Sequence, residues 1–479
     1  MQALQSSDGA ARANDRLRTA RDDVHIFERR GVFVMASSSY GSELKRKTVS
    51  AEQAAALVRS GSWIDYGFGV GQPDAFDQAL AARISKIDGV KLRGCLAMRP
   101  RAAVEADPEG HHVTYLSWYF SGVERKMHDC GLCHHIPMNF GEAPDYYRRF
   151  VDVDAAVLKT TPMDDHGFFN FGGAVTYHKA LTEKARVVVV ETDASMPYVF
   201  GVENGVHIGD VDYVIDAGEG SLPELKNPPA GPIEQQIAGL IAGEIEDGAC
   251  LQIGIGAMPN AVCELLVGSP IKDLGVHTEM FVDSLMELYE AGKVTGAHKT
   301  IDRYQMTYTF AAGSSRLYEF LNRNPACFAG PVDYTNLPHR IMQNERVMAI
   351  CNAAQIDLTG QACSESAGVR QISGTGGQLQ FMRGAYASRG GKAFICMSSA
   401  YERGGRRASR IVARIADSNV VTTPRTDVMY VVTEYGIVNL KGKSVPERAR
   451  ALISLAHPDF REELERGARE YGLIPRGFL

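Results

Sequence analysis

The sequence predicts an α/β protein made of two similar α/β domains, with mainly parallel sheets flanked by helices. Three observations carry this expectation. Short Val/Ile runs alternate with Ala- and Leu-rich helical stretches and turns, the pattern of parallel strands covered by helices. A helix–Gly–strand–Gly-x-Gly unit occurs twice, and Gly61, Gly67 and Gly69 fall on Gly248, Gly254 and Gly256 at a shift of 187 residues. At 479 residues the chain is also longer than one ordinary core, which stops growing near ~250 residues.

Taken in order, residues 1–45 read as a flexible N-terminal tail, polar and without apolar periodicity up to Met35. Its first 34 residues hold six arginines and no apolar core, so they match no signal peptide. Residues 46–228 form the first expected domain: helix Ala51 to Val58, a stop at Gly61, strand Trp63 to Phe68, a Gly turn, and helix Ala75 to Leu80. Ser221 to Pro232 has four prolines in twelve residues and marks the boundary. The second domain, residues 229–479, repeats the unit with helix Ile237 to Ile245, Gly248, strand Ala249 to Ile253 and helix Ala261 to Leu266. Val187 to Val190, Val347 to Cys351, Ala393 to Met397 and Val428 to Thr433 supply further strands.

Composition narrows the function classes. With 45% hydrophobic and 23% charged residues and a net charge of -6, the chain reads as a globular enzyme and not as a nucleic-acid binder. No run reaches the ~18 apolar residues of a membrane span, which points to the cytoplasm and to no membrane partner. Nine unevenly spaced cysteines describe no disulfide framework. Cys130-Gly-Leu-Cys133-His134 matches a haem-attachment pattern, with His135 as a further metal ligand, but the bland reading is a loop with buried thiols and no metal.

Glu279 is the residue with the most chemistry around it. It follows a short apolar strand, and Phe281, Leu285, Leu288 and Tyr289 after it have helical spacing, which places Glu279 in a first helical turn. There the helix dipole favours an ionised carboxylate, suited to a nucleophile; a solvent-exposed helix-start Glu is the plain alternative. Gly254-Ile-Gly256 brings backbone N–H groups close to a phosphate or carbonyl oxygen. It also fits a dinucleotide turn with Glu279 as the ribose ligand, although Pro259 stands where a third Gly belongs. Ser373 to Phe381 packs three glycines into four residues and offers N–H donors for an oxyanion. Tyr66, Phe68 and Tyr115 to Phe120 are candidates to line an acyl pocket, with ordinary core as the alternative.

Five motifs in order resemble the acetyl-CoA hydrolase/transferase family: Asp164 to Gly172, Gly254 to Asn260, Gly275 to Met280, Asp333 to Asn336 and Gly374 to Phe381. The likeness, which includes butyryl-CoA:acetate and 4-hydroxybutyrate CoA-transferases, runs from about residue 45 to the C-terminus. It implies reversible transfer of coenzyme A between an acyl-CoA and a small carboxylic acid, in a site between the two domains of a homo-oligomer. Coenzyme A is then a co-substrate, and no cofactor is permanently bound. Glu279 matches the catalytic glutamate that becomes an acyl anhydride and then a glutamyl-CoA thioester. Gly254, Ile255, Gly256, Ala257, Met258 and Pro259 match the first CoA loop; Gly376 and Gly377 match the second, with Gly377 as oxyanion donor. Ala354 falls near a further CoA contact, and Arg406 or Arg407 is expected at the CoA phosphates. His134, His135, Arg148 and Arg149 are candidates to receive a second carboxylate. An acyl-CoA hydrolase and a nicotinamide-dependent oxidoreductase are the competing readings.

Overall fold

A computed structural model describes residues 37–226, 228–254, 256–416 and 418–475. Most of the expected tail, 1–36, lies outside them. Residues 37–45 correct that expectation, because Ser37–Lys47 is a helix. Its polar sequence hid the docking: Lys47 donates to the carbonyls of Ile208 and Val211 at 2.7 and 2.6 Å, and Thr48 bridges to Val214.

Two sheets dominate, as the alternating pattern predicts. The first comprises β1 (Trp63–Phe68), β2 (Val90–Cys95), β3 (Val113–Ser117), β4 (Cys133–His135), β5 (Ala155–Thr160), β6 (Val187–Thr192) and β7 (Tyr213–Asp216). Its spatial order is β4-β3-β2-β1-β5-β6-β7, and every pairing is parallel. The second comprises β8 (Cys250–Ile253), β9 (Gly275–Val276), β10 (Val347–Asn352), β11 (Lys392–Cys396), β12 (Tyr430–Thr433) and β13 (Gly436–Asn439). Its order is β9-β8-β10-β11-β12-β13, antiparallel only at the last pair. Both sheets thus start in their interior, with the next strand on one side and later strands on the other. Ligands of open α/β sheets bind at the carboxyl ends of strands beside such a reversal.

The internal repeat is structural. Gly61 and Gly248 both adopt positive φ, and each donates its N–H to the segment before the neighbouring strand, Asp88 and Lys272 respectively, at 2.8 and 3.0 Å. The carboxyl ends of the sheets then meet. One continuous apolar core takes Phe68, Phe140 and Tyr177 from the first half and Phe281, Tyr308 and Phe310 from the second. Separate cores cover the outer face of each sheet. Backbone hydrogen bonds stitch the seam: Val175 to Thr309, Ala311 to Gly173, Ala329 to Phe200 and Val332 to Thr176, at 2.7 to 3.1 Å. No helix among the described residues is long and apolar enough to cross a membrane.

Candidate active site

Glu279 sits just beyond β9, in backbone that is pinned on both sides. Thr278 N–H donates to Thr307, and the Glu279 carbonyl accepts the N–H groups of Thr309 and Phe310. Met280–Phe281 then pairs with Phe310–Ala311 as a short strand. The following helix starts only at Asp283. The expectation that Glu279 occupies its first turn is therefore wrong: strand pairing captures Met280 and Phe281, whose spacing alone also fits a helix.

A helix does reach the carboxylate, but a different one. Gly377 caps the N-terminus of Gln378–Ala387, and its N–H hydrogen-bonds Glu279. Asn336 Nδ2 donates to Glu279 Oε2 at 2.5 Å, while its own Oδ1 accepts the Thr335 hydroxyl at 2.9 Å, which fixes the amide's orientation. A side chain at Gly377 would overlap both Glu279 Oε2 and the Asn336 amide, so this close approach requires glycine. Burial nevertheless wins over these two donors and raises the Glu279 pKa to about 7. The expected dipole-favoured, fully ionised carboxylate is corrected to one poised near neutrality. Beneath it, buried His277 donates through Nε2 to the Thr335 carbonyl at 2.8 Å. Burial lowers its pKa to about 4, so the ring stays neutral and holds the Thr335–Asn336 segment.

Two spaces meet at Glu279. On one side is an apolar cavity of about 110 Å³, walled by Phe68, Leu96, Trp118, Tyr119, Met138 and Phe140 from the first half and Ile253, Met280 and Phe310 from the second. On the other is a more polar channel of about 480 Å³, lined by Gly254, Asn352, Ser364, Gly374 to Gln378, Arg125 and Arg370. Tyr119 borders both spaces, and burial together with the nearby Glu279 charge pushes its hydroxyl up to about 12.

The sequence-derived residues divide accordingly. Gly254, Gly376, Gly377 and Glu279 converge on the channel. Gly256, at φ +119°, caps the helix Ala257–Gly268, so Ala257, Met258 and Pro259 form its first turn instead of the wall; Ile255 lies outside the described residues. Ala354 stands off the channel, its carbonyl accepting Arg410 Nη1 at 3.0 Å. Arg406 is exposed on the hairpin Ala400–Arg403/Arg406–Ser409, and Arg407 pairs with Asp459 at 3.0 Å. Neither arginine is among the residues that line the channel, whereas Arg125 and Arg370 are.

Phe68, Trp118 and Tyr119 line the cavity as expected, but Tyr66 and Tyr115 pack into the outer core of the first sheet. The reason is local: the β1 register shifts between Asp65 and Phe68, where Gly67 takes φ +68°. That bulge turns Phe68 to the opposite face from Tyr66, two residues away. Phe120 lines a neighbouring groove. His134 is exposed, Arg148 pairs with Glu183 and Arg149 with Asp145, all away from the cavity, and His135 faces Glu365 at 3.9 Å. Cys133 is buried on β4 and Cys130 exposed. Among the described residues no group of three or more His, Cys, Asp or Glu is placed to hold a metal ion. Asn336, inside a motif but assigned no role from sequence, and Leu96, Phe140, Met280 and Phe310 complete the site.

Known proteins carry the same plan. Residues 35–223 match the acetyl-CoA hydrolase/transferase N-terminal domain, and 313–468 match the C-terminal domain of the same family. The butyryl-CoA:acetate CoA-transferase of Anaerostipes caccae is 44% identical over 90% of this chain and 98% of its own. The 4-hydroxybutyrate coenzyme A transferase of Clostridium kluyveri is 38% identical over 88% of this chain and 96% of its own. Among solved structures, RipA from Yersinia pestis superposes with a TM-score of 0.84 at 38% identity, covering 91% of this chain and all of that one. Shared sequence over nearly the whole length, on a shared fold, places this chain in the acetyl-CoA hydrolase/transferase family.

Proposed function

We propose that this chain, a CoA-transferase, moves coenzyme A reversibly between a short-chain acyl-CoA and a carboxylate, with Glu279 as the covalent carrier. The observation that carries the reading is the position of Glu279 at the junction of the apolar cavity and the polar channel. An acyl chain in the cavity and a pantetheine arm in the channel bring a thioester carbon to the carboxylate. Butyryl and 4-hydroxybutyryl groups, the substrates in the relatives' names, suit a cavity of this size.

The two carboxylate oxygens have different tasks. Oε2 is held by Asn336, and the Gly377 N–H adds a hydrogen bond to the same carboxylate, which leaves Oε1 to attack the thioester carbonyl. The C–S bond breaks, an acyl-glutamyl anhydride forms, and the thiolate of CoA leaves into the channel. That thiolate then attacks the Glu279 carbonyl carbon and expels the acid, giving glutamyl-CoA thioester. The oxyanion of this second attack develops on Oε2, where Asn336 already donates, and such a donor is worth about 3–4 kcal/mol of barrier in comparable sites. A second carboxylate reverses the steps. Positioning makes a weak nucleophile effective, with effective molarities up to ~10⁵–10⁸ M. In this division of labour residues 46–228 shape the acyl group and 229–479 supply the nucleophile and the CoA loops.

The test is chemical. Enzyme incubated with butyryl-CoA, treated with borohydride and digested is expected to carry reduction at Glu279, seen by mass spectrometry, and only when the acyl-CoA was present. An active enzyme with unmodified Glu279 sinks the proposal. Product analysis with acetate separates the readings, since a transferase makes acetyl-CoA whereas a hydrolase releases only free thiol.

A further inference from the structure

A third space adjoins the site: a groove of about 550 Å³ between the helix Gly122–Asp129, the loop after β2 and the linker at Glu224–Leu225. Leu96, Tyr119 and Met280 line this groove and also the apolar cavity, so the partition between the two is one side chain thick. Two of the three are flexible aliphatic side chains. Met280 has three rotatable bonds, and Leu96 sits on left-handed backbone at φ +51°, a conformation that costs a branched residue energy. The Leu96 N–H donates to the Tyr119 carbonyl at 3.2 Å across the partition.

We infer that this groove is a separate route for the small carboxylic acid, leaving the channel to coenzyme A. The inference rests on the glutamyl-CoA reading. Once the thioester forms on Glu279, the pantetheine arm fills the channel while the first acid must leave and the second must arrive. The groove meets the cavity at Leu96 and Met280, neither of which lines the channel. Its rim holds both signs of charge. Arg101 is committed to Asp74 and to backbone carbonyls, and Glu224 accepts the Ser315 N–H. Glu105 is exposed. Arg125 and Lys126 have no carboxylate within ion-pair distance among the described residues, and Arg125 lines both groove and channel. An entering carboxylate therefore meets two cations free of direct ion pairs, beside Glu105 and Glu224 on the same rim, before an apolar passage.

The test places a removable plug in the groove, away from cavity and channel. Val123 lines the groove alone. A Val123→Cys variant is made in a Cys130→Ser background, because Cys130 is the exposed cysteine of the described residues. The introduced thiol is capped with a methyl or a benzyl thiosulfonate. Each labelled enzyme is charged with butyryl-CoA to the glutamyl-CoA thioester, then mixed with acetate in a single turnover. The expected result is a loss of about tenfold or more in the acetate rate constant for the benzyl cap and little change for the methyl cap, as for a step limited by passage. An unchanged rate with the benzyl cap, or an equal loss with both caps, overturns the route. Failure of either enzyme to form any thioester, with transfer activity intact, defeats the covalent reading underneath and is seen separately by mass.

Discussion

The turns that follow β1 and β8 occupy equivalent places in the repeat, yet one is shut and the other open. After β1, the Phe68 N–H is donated to the buried His178 ring at 3.1 Å. Burial drops that ring's pKa to about 3, so it stays neutral and can accept. The turn is filled by protein and presents only an aromatic side chain to the cavity. After β8, Gly254 faces both cavity and channel, and Gly256 leads into a helix with no side chain of its own in the way. One backbone plan thus closes onto an aromatic side chain in the first half and opens onto the channel in the second. Filling or leaving open the carboxyl end of one strand decides which.

This contrast can be broken residue by residue. The largest effect is expected in the second half. Asn336→Ala removes a donor to Glu279 Oε2, and kcat should fall by roughly 10²–10³-fold. Asn336 lowers the Glu279 pKa from what burial alone would set, so its loss raises that value further. The proposed attack by Glu279 requires its ionised form, so the wild-type rate is expected to rise with pH through about 7, and the rising limb in the variant should move to higher pH. A pH-rate profile with an unshifted limb removes Asn336 from this role.

A smaller effect belongs to the aromatic side chain of the first half. Phe68→Leu enlarges the cavity without touching the carboxylate, so kcat/KM for an acyl-CoA one methylene longer should gain about tenfold relative to butyryl-CoA. The pH limb should stay in place, which separates shape from chemistry; equal loss for all chain lengths contradicts the division. Least of all is expected from Arg406→Ala on its exposed hairpin: KM for acyl-CoA should change by no more than about twofold, the ordinary scale of surface substitutions. A tenfold rise would return Arg406 to the CoA site.

What was legible in the sequence was contiguous. The strands, the repeated Gly turn, Glu279 and the loop through Gly377 are each carried by a few neighbouring residues whose backbone demands are local. What was hidden depends on convergence. Asn336 reaches Glu279 from 57 positions away, and Arg125 meets the carbonyl of Ile372 from 247 away, because both sheets deliver their carboxyl ends to one seam. The Gly67 bulge was hidden for another reason: strict alternation keeps Tyr66 and Phe68 on one face, and a single positive φ undoes it. Likewise the apolar run after Glu279 fits a helix by spacing, and only its partner strand Phe310–Ala311 makes Met280–Phe281 extended.

The seam has a consequence for synthesis. Phe200 receives its partner Ala329 only after the ribosome has added a further 129 residues, and Val175 waits similarly for Thr309. At roughly 5–20 residues per second, the first half emerges with the apolar ends of its sheet bare for on the order of ten seconds. For that interval the nascent chain displays unpaired strand edge and aromatic surface, the features by which chaperones hold a chain and by which neighbouring polysomes aggregate.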